Sequence, residues 1–376
     1  MKRKIVAALL TATFAQAGGA EPPSNLYGLV WNDDFSGTAI DVTKWTFRTD
    51  SKKLSTQLPA NVEVRDNRLS LMMKKEAANG KAYTGGGVIT RRLFGYGYYE
   101  VTARTTSNVG WHNSFWMMAG DGSDTYGPGH YLEIDQFEIN TKNPSTVTSG
   151  LIFWDGKVGP KPIKMDRCPD LNSFNSSAGY HTYGADWREG AVDLYVDGKK
   201  YCTRAYPIDT YRQDPVRIWL TAIAYEAPVT VGGTPQLYRN ARFYQRDAYV
   251  LAGHEGYTES GAGWQGKPKG GFGLMPQRRS CTAGAAARFV PNVAQAGRYR
   301  VSLWNDARPD RGGTAEVTLT SADGTERRRI NLAKAGKGWV DLGVHSFAKD
   351  QTASVTARGD AGCLSASAAK FVRIEG

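Results

Sequence analysis

Histidine is scarce in this chain, five residues in 376, and cysteine is scarcer still at four. Neither forms the close pairs that grip a structural zinc, so no zinc site is expected. Heptads and helical repeats are also missing, which sets aside coiled coils and helical solenoids. After the first residues no apolar run approaches the roughly 20 residues that a membrane-crossing helix needs. What the chain does hold in quantity is glycine (43), tyrosine (19) and tryptophan (10). That profile is the one of an all-β protein with many turns.

The opening, "MKRKIVAALLTATFAQAGGA", has a basic start, a short apolar run and small residues after it. It reads as a secretory signal over residues 1–20, so the mature protein is expected to be secreted or periplasmic. Export makes oxidation of the four cysteines plausible, and pairing within domains gives Cys168–Cys202 and Cys281–Cys363. Free buried thiols are the plain alternative. The formal charge of +11 is uneven: eighteen Lys and Arg face eleven Asp and Glu from residue 248 onward, while 21–247 is near neutral. Export argues against a nucleic-acid partner, which leaves an acidic or sulfated polysaccharide, a cell surface, or mere solubility as the use of the basic tail.

Short β runs split by turns fill residues 21–250. They include "NRLSLMMKK", "YGYYEVTART", "NSFWMMAG" and "VRIWLTAIAY", with hairpin signals in "REG" and "VDGKK". A Gly- and Pro-rich stretch follows. Strands then resume to the C terminus, so 251–376 is expected to be a second, smaller β-sandwich.

One stretch carries chemistry. "GHYLEIDQFEIN" sets Glu133, Asp135 and Glu138 among β-branched and aromatic residues, which says strand. A strand alternates faces, so Glu133 and Asp135 share one face and Glu138, five positions from Glu133, should lie on the other. A β-bulge at Gln136-Phe137 corrects this, because two residues then occupy one pleat position. With the bulge, the two glutamates stand about 13 Å apart along the strand. Side chains leaning together bring their carboxyls to about 5 Å, the spacing of a retaining rather than an inverting glycosidase. Taken alone, three acids in six residues fit a calcium site or a solvated face as well.

"EIDQFE" resembles the bulged E-x-D-x-x-E signature of glycoside hydrolase family 16. "LVWNDDFSGTAIDVTKW", "YTGGGVITRRLFGYGYYEVTAR", "GWHNSFWMM" and "YHTYGADWREGAVDLYVDGK" resemble other segments of that family in the same order. The resemblance implies a concanavalin-like β-jelly-roll sandwich with an open concave cleft. It implies a secreted endo-β-glycanase that cuts β-1,3- or β-1,4-linked polysaccharide, a galactan or other acidic glycan among the options, by retention and without a cofactor. Glu133 matches the nucleophile, Asp135 the assisting residue and Glu138 the acid/base. Trp116 matches the tryptophan of the cleft floor, and Trp111 a cleft-wall aromatic, with core packing as its other reading. Many members carry a histidine on the next strand; here that strand reads "STVTSGLIFWDGK", and Trp154 is expected in its place. Arg91 flanks a family strand within reach of an anionic sugar substituent, with a surface role as its other and favoured reading. The tail is similar to golvesin-like C-terminal sandwiches, which suits carbohydrate attachment through Trp264, Trp304 or Trp339. A transglycosylase and a non-catalytic carbohydrate-binding protein stay open beside the hydrolase, and a monomer is expected.

Overall fold

The computed structural model describes residues 21–119, 131–155, 162–267, 270–306, 313–349, 353–360 and 362–374. The expected signal at 1–20 lies outside them. Among the described residues no helix is long and apolar enough to cross a membrane.

Two sheets stack to make the first unit, almost wholly from antiparallel neighbours. One runs Lys199–Ala205, Ala191–Val196, His181–Arg188, Gly97–Arg104, Gln236–Gln245, Leu69–Leu71 and Val62–Val64, with Gly28–Asp33 also on Gln236–Gln245. The other runs Lys164–Arg167, Thr148–Trp154, Tyr131–Asn140, Trp111–Met118, Arg217–Ala224, Tyr83–Thr90, Ser55–Gln57 and Ser51–Lys52, with Trp45–Phe47 on Tyr83–Thr90. Alternation puts Phe115, Met117, Ile134, Leu151, Phe153, Ile218 and Leu220 of the second sheet in the space between. Tyr99, Val101, Tyr183, Ala185 and Tyr238 meet them from the first. This is a β-sandwich, as the composition required.

The second unit begins with Ala248–Leu251, which pairs with the C-terminal strand Ala368–Arg373. Its four-stranded sheet packs on a five-stranded one around Phe289, Tyr299, Val301, Val355 and Phe371. Both disulfides form as expected, Cys168–Cys202 in the first unit and Cys281–Cys363 in the second.

The units are clasped. Glu189, in the turn between His181–Arg188 and Ala191–Val196, accepts hydrogen bonds from Tyr249 Oη (2.7 Å), Lys370 Nζ (3.0 Å) and Trp339 Nε1 (3.1 Å). Beside it Trp304, Trp339, Phe272 and Tyr249 pack ring against ring. Trp304 and Trp339 thus serve the seam, not a sugar-binding face. Trp264 is half-buried and donates to the Ser260 carbonyl.

Candidate active site

Strand Tyr131–Asn140 answers the parity question. Against Trp111–Met118 its register slips between Asp135 and Phe137, and against Thr148–Trp154 between Asp135 and Glu138. Gln136 and Phe137 both turn inward and are fully buried. Phe137 packs on Phe115 and Tyr183. Gln136 Nε2 donates to the carbonyls of Tyr195 (2.8 Å) and Gly184 (3.3 Å) in the opposite sheet. With two successive residues facing the core, Glu138 returns to the outer face. It shares a cavity of about 210 Å³ with Glu133 and Asp135. Arg48, Lys52, Lys53, His112, Ser114, Trp116, Thr221, Ile223 and Tyr225 complete the lining.

Each acid has its own partner. Trp154 Nε1 donates to Glu133 Oε2 at 2.6 Å. Asp135 hydrogen-bonds Glu133 from the same face of the strand. Glu138 Oε1 lies 3.3 Å from His112 Nε2, and its Oε2 lies 2.7 Å from Arg167 Nη1. The same Nη1 is 2.9 Å from Asp135 Oδ2. Burial and the nearby Glu138 charge push Glu133 up to about 7. Burial, then Glu138 and Glu133, push Asp135 well above the carboxylate range. Burial also acts to raise Glu138, but His112 and Arg167 outweigh it and hold that carboxyl at about 2. Burial and like charge thus favour a proton on the Glu133–Asp135 side, while His112 and Arg167 favour the charge on Glu138.

Trp116 lies half-buried in the cleft floor, stacked on Trp219 with ring centroids 4.5 Å apart. Trp111 is corrected by the structure. It is 0% exposed, meets Tyr83 edge to face and donates Nε1–H to the Thr230 carbonyl at 2.8 Å, so it belongs to the core and not to the cleft wall. Arg91 is corrected too. It lies just beyond Tyr83–Thr90, exposed, with Nε on the Val42 carbonyl at 2.6 Å. It borders a different concavity of about 750 Å³ at the seam between the units. That concavity is larger than the cleft but brings no cluster of acids together, so the chemistry stays with the smaller one.

His112 and Arg167 were missed by sequence reasoning. His112 was within reach of it: on an unbulged strand it shares the face of Trp116 by even spacing. Arg167 gave no signal, because it arrives from the sheet edge. Gly150, opposite Asp135, makes room for it. A Cβ there would stand 2.5 Å from the Asp166 carbonyl oxygen and 2.8 Å from Arg167 Cα, and the glycine's φ of +149° disfavours any side chain.

The glycosyl hydrolases family 16 pattern matches residues 49–237, half of the chain, and the Golvesin C-terminal domain matches 254–374. The chain belongs to glycosyl hydrolase family 16. A beta-glucanase of Acetivibrio thermocellus is 30% identical over 152 residues, 40% of this chain and 42% of the relative. The kappa-carrageenase of Pseudoalteromonas carrageenovora is 28% identical over 228 residues, 52% of this chain and 56% of the relative. The chain thus spans about half the length of the curated relatives it matches. Among solved structures, a variant of SCLam, a non-specific endo-beta-1,3(4)-glucanase, superposes with a TM-score of 0.52 at 24% identity, over 61% of this chain and 98% of the other. That likeness carries the jelly-roll fold.

Proposed function

We propose that the chain is an exported, endo-acting glycoside hydrolase that cleaves β-1,3- or β-1,4-linked polysaccharide, an acidic glycan among them, with retention of configuration. The observation that carries this reading is the bulge that delivers Glu133, Asp135 and Glu138 to one cleft beside stacked tryptophans. Aromatic faces suit pyranose rings, whose C–H surfaces are apolar. The family membership supports the same chemistry.

Glu133 is assigned as the nucleophile, with Trp154 and Asp135 fixing its orientation. Its carboxylate attacks the anomeric carbon while Glu138 gives its proton to the departing glycosidic oxygen. Glu138 then takes a proton from water, the water oxygen bonds to the anomeric carbon, and Glu133 leaves as carboxylate. This course needs the proton on Glu138 and the charge on Glu133, the reverse of the distribution that His112 and Arg167 favour. The entering glycan therefore has to shift the proton, and like charges held this close titrate as one unit. All three acids come from one strand of one chain, which supports action as a monomer. The leader-like opening and two disulfides support export.

Release of reducing ends from a polysaccharide panel tests the reading. Glu133→Gln and Glu138→Gln are each expected to lower the rate by at least about 100-fold. Two variants that match the wild type would end the catalytic assignment.

A further inference from the structure

Arg167 is held by more than its two ion pairs. Its carbonyl accepts hydrogen bonds from the Arg204 guanidinium, including one of 3.2 Å from Nε, and Arg204 also pairs with Asp166 at 3.2 Å. Cys168, the next residue, is bonded to Cys202 on Lys199–Ala205 of the other sheet. Gly150 lets the backbone of Asp166 and Arg167 press close above Asp135. Backbone, disulfide and glycine thus fix the stem, and the side chain reaches from the edge strand to the acids. Arg167 Nη1 meets both acids, Asp135 Oδ2 at 2.9 Å and Glu138 Oε2 at 2.7 Å. A guanidinium is a planar fork built for two parallel bonds to one anion, and here one nitrogen is shared between two carboxyls instead.

The arrangement works against the chemistry if nothing else happens. Glu138 has to carry a proton as general acid, and Arg167 holds its charge. The charged and titratable groups that face Glu138 are His112 on Trp111–Met118, Arg167 on Lys164–Arg167, and Asp135 and Glu133 on its own strand. From the 48–53 segment come Arg48, Lys52 and Lys53, with Tyr225 beyond Arg217–Ala224. Asp170 lies behind them, accepting from Thr148 opposite Glu138 at 3.2 Å. Of the cations, Arg48 is committed to Asp50 (2.5 and 2.9 Å), and Lys53 stands 4.7 Å over the Tyr225 ring. Arg167 is the cation on the reacting acids themselves.

We propose that Arg167 is the receptor for an anionic substituent of the glycan, a sulfate ester or a carboxylate, which takes the guanidinium from Glu138 as the sugar enters. The inference rests on the glycanase reading and names its substrate class. An anion on the fork takes Arg167 from Glu138 and leaves His112 as its one remaining partner of the two, so binding of the right sugar favours protonation of the acid. A neutral glycan leaves Arg167 on Glu138 and is cut slowly.

The test compares wild type, Arg167→Met and Arg167→Lys on matched polymers: kappa-carrageenan and porphyran against their desulfated forms, hyaluronan for carboxylates, laminarin and mixed-linkage glucan as neutral controls. The wild type is expected to prefer a charged polymer over its uncharged counterpart. Sulfated substrates alone identify a sulfate ester, and hyaluronan alone a carboxylate. Arg167→Met should lose at least about 100-fold in kcat/KM on the preferred polymer, while the neutral controls, freed of the brake on Glu138, become faster. Arg167→Lys, which keeps the charge without the fork, should recover part of the loss. The pH dependence of kcat/KM adds a readout that a packing defect does not move: in Arg167→Met the acid limb shifts upward. Equal losses on charged and neutral polymers, or a wild type that prefers the uncharged form, overturn the inference while leaving the glycanase reading standing. Hydrolysis of no polymer at all overturns both.

Discussion

Replacing Trp154 by phenylalanine removes one hydrogen bond from Glu133 and little else. The indole Nε1–H donates to Glu133 Oε2 at 2.6 Å, a short contact to a group that is otherwise buried beside Asp135. Such a bond favours the charged carboxylate, so its loss favours the protonated form and raises the affinity of Glu133 for its proton. A hydrogen bond to a charged group contributes about 1.5–3 kcal/mol, and about 1.4 kcal/mol corresponds to one pKa unit. Glu133 sits at about 7 with Trp154 in place. In Trp154→Phe the limb of the kcat/KM profile near neutrality should therefore move upward by about one to two pH units. The assay is initial-rate reducing-end release from pH 4 to 10, with circular dichroism to show that the fold persists. A limb that stays in place, or one that moves to lower pH, refutes the claim that this bond sets the ionisation of Glu133.

The remaining predictions concern the scaffold. Trp111→Leu should destabilise the first unit by about 3 kcal/mol or more, as a large buried truncation does, while KM for any glycan stays the same; thermal unfolding and kinetics check both halves. Gln136→Leu leaves the Tyr195 and Gly184 carbonyls without their donor and should cost about 1–3 kcal/mol in chemical denaturation. Because the extra residue remains, Glu138 keeps its face and most of the activity survives. Glu189→Ala takes away the acceptor of three hydrogen bonds at the seam, and calorimetry should resolve a lowered transition for the C-terminal unit. A buried acid raised to about 7 stabilises the fold below its unfolded value near 4.5, and that contribution fades as pH rises through 7. Glu133→Gln should accordingly raise the unfolding temperature more at pH 8 than at pH 4.

Much of this site could be read from the chain because it lies on one strand. Glu133, Asp135 and Glu138 obey a period of two once one bulge is allowed, and the bulge shows itself in the sequence as a parity error. The same rule applied to the neighbouring strand separates Trp111 from Trp116: five positions apart without a bulge, they take opposite faces, and Trp111 goes to the core. That inference was open from sequence, and matching aromatic residues to a family pattern obscured it. Arg91 is a different case. It follows a strand that points into the cleft sheet, but the chain leaves the sheet at Thr90 and takes the arginine with it. Arg167 was out of reach because its position depends on an edge pairing, on the space left by Gly150 and on a disulfide to the opposite sheet. Each of those links residues far apart in sequence. The pairing of Ala248–Leu251 with the C-terminal strand was equally out of reach, since it joins residues far apart in sequence.

Covalent trapping bears most directly on the division of labour between the two glutamates. The protein is incubated with a 2-deoxy-2-fluoro oligosaccharide bearing an activated leaving group, digested, and the labelled peptide sequenced by mass spectrometry. The predicted result is a single glycosyl ester on Glu133. A label on Glu138, or none while the same compound is turned over, contradicts it.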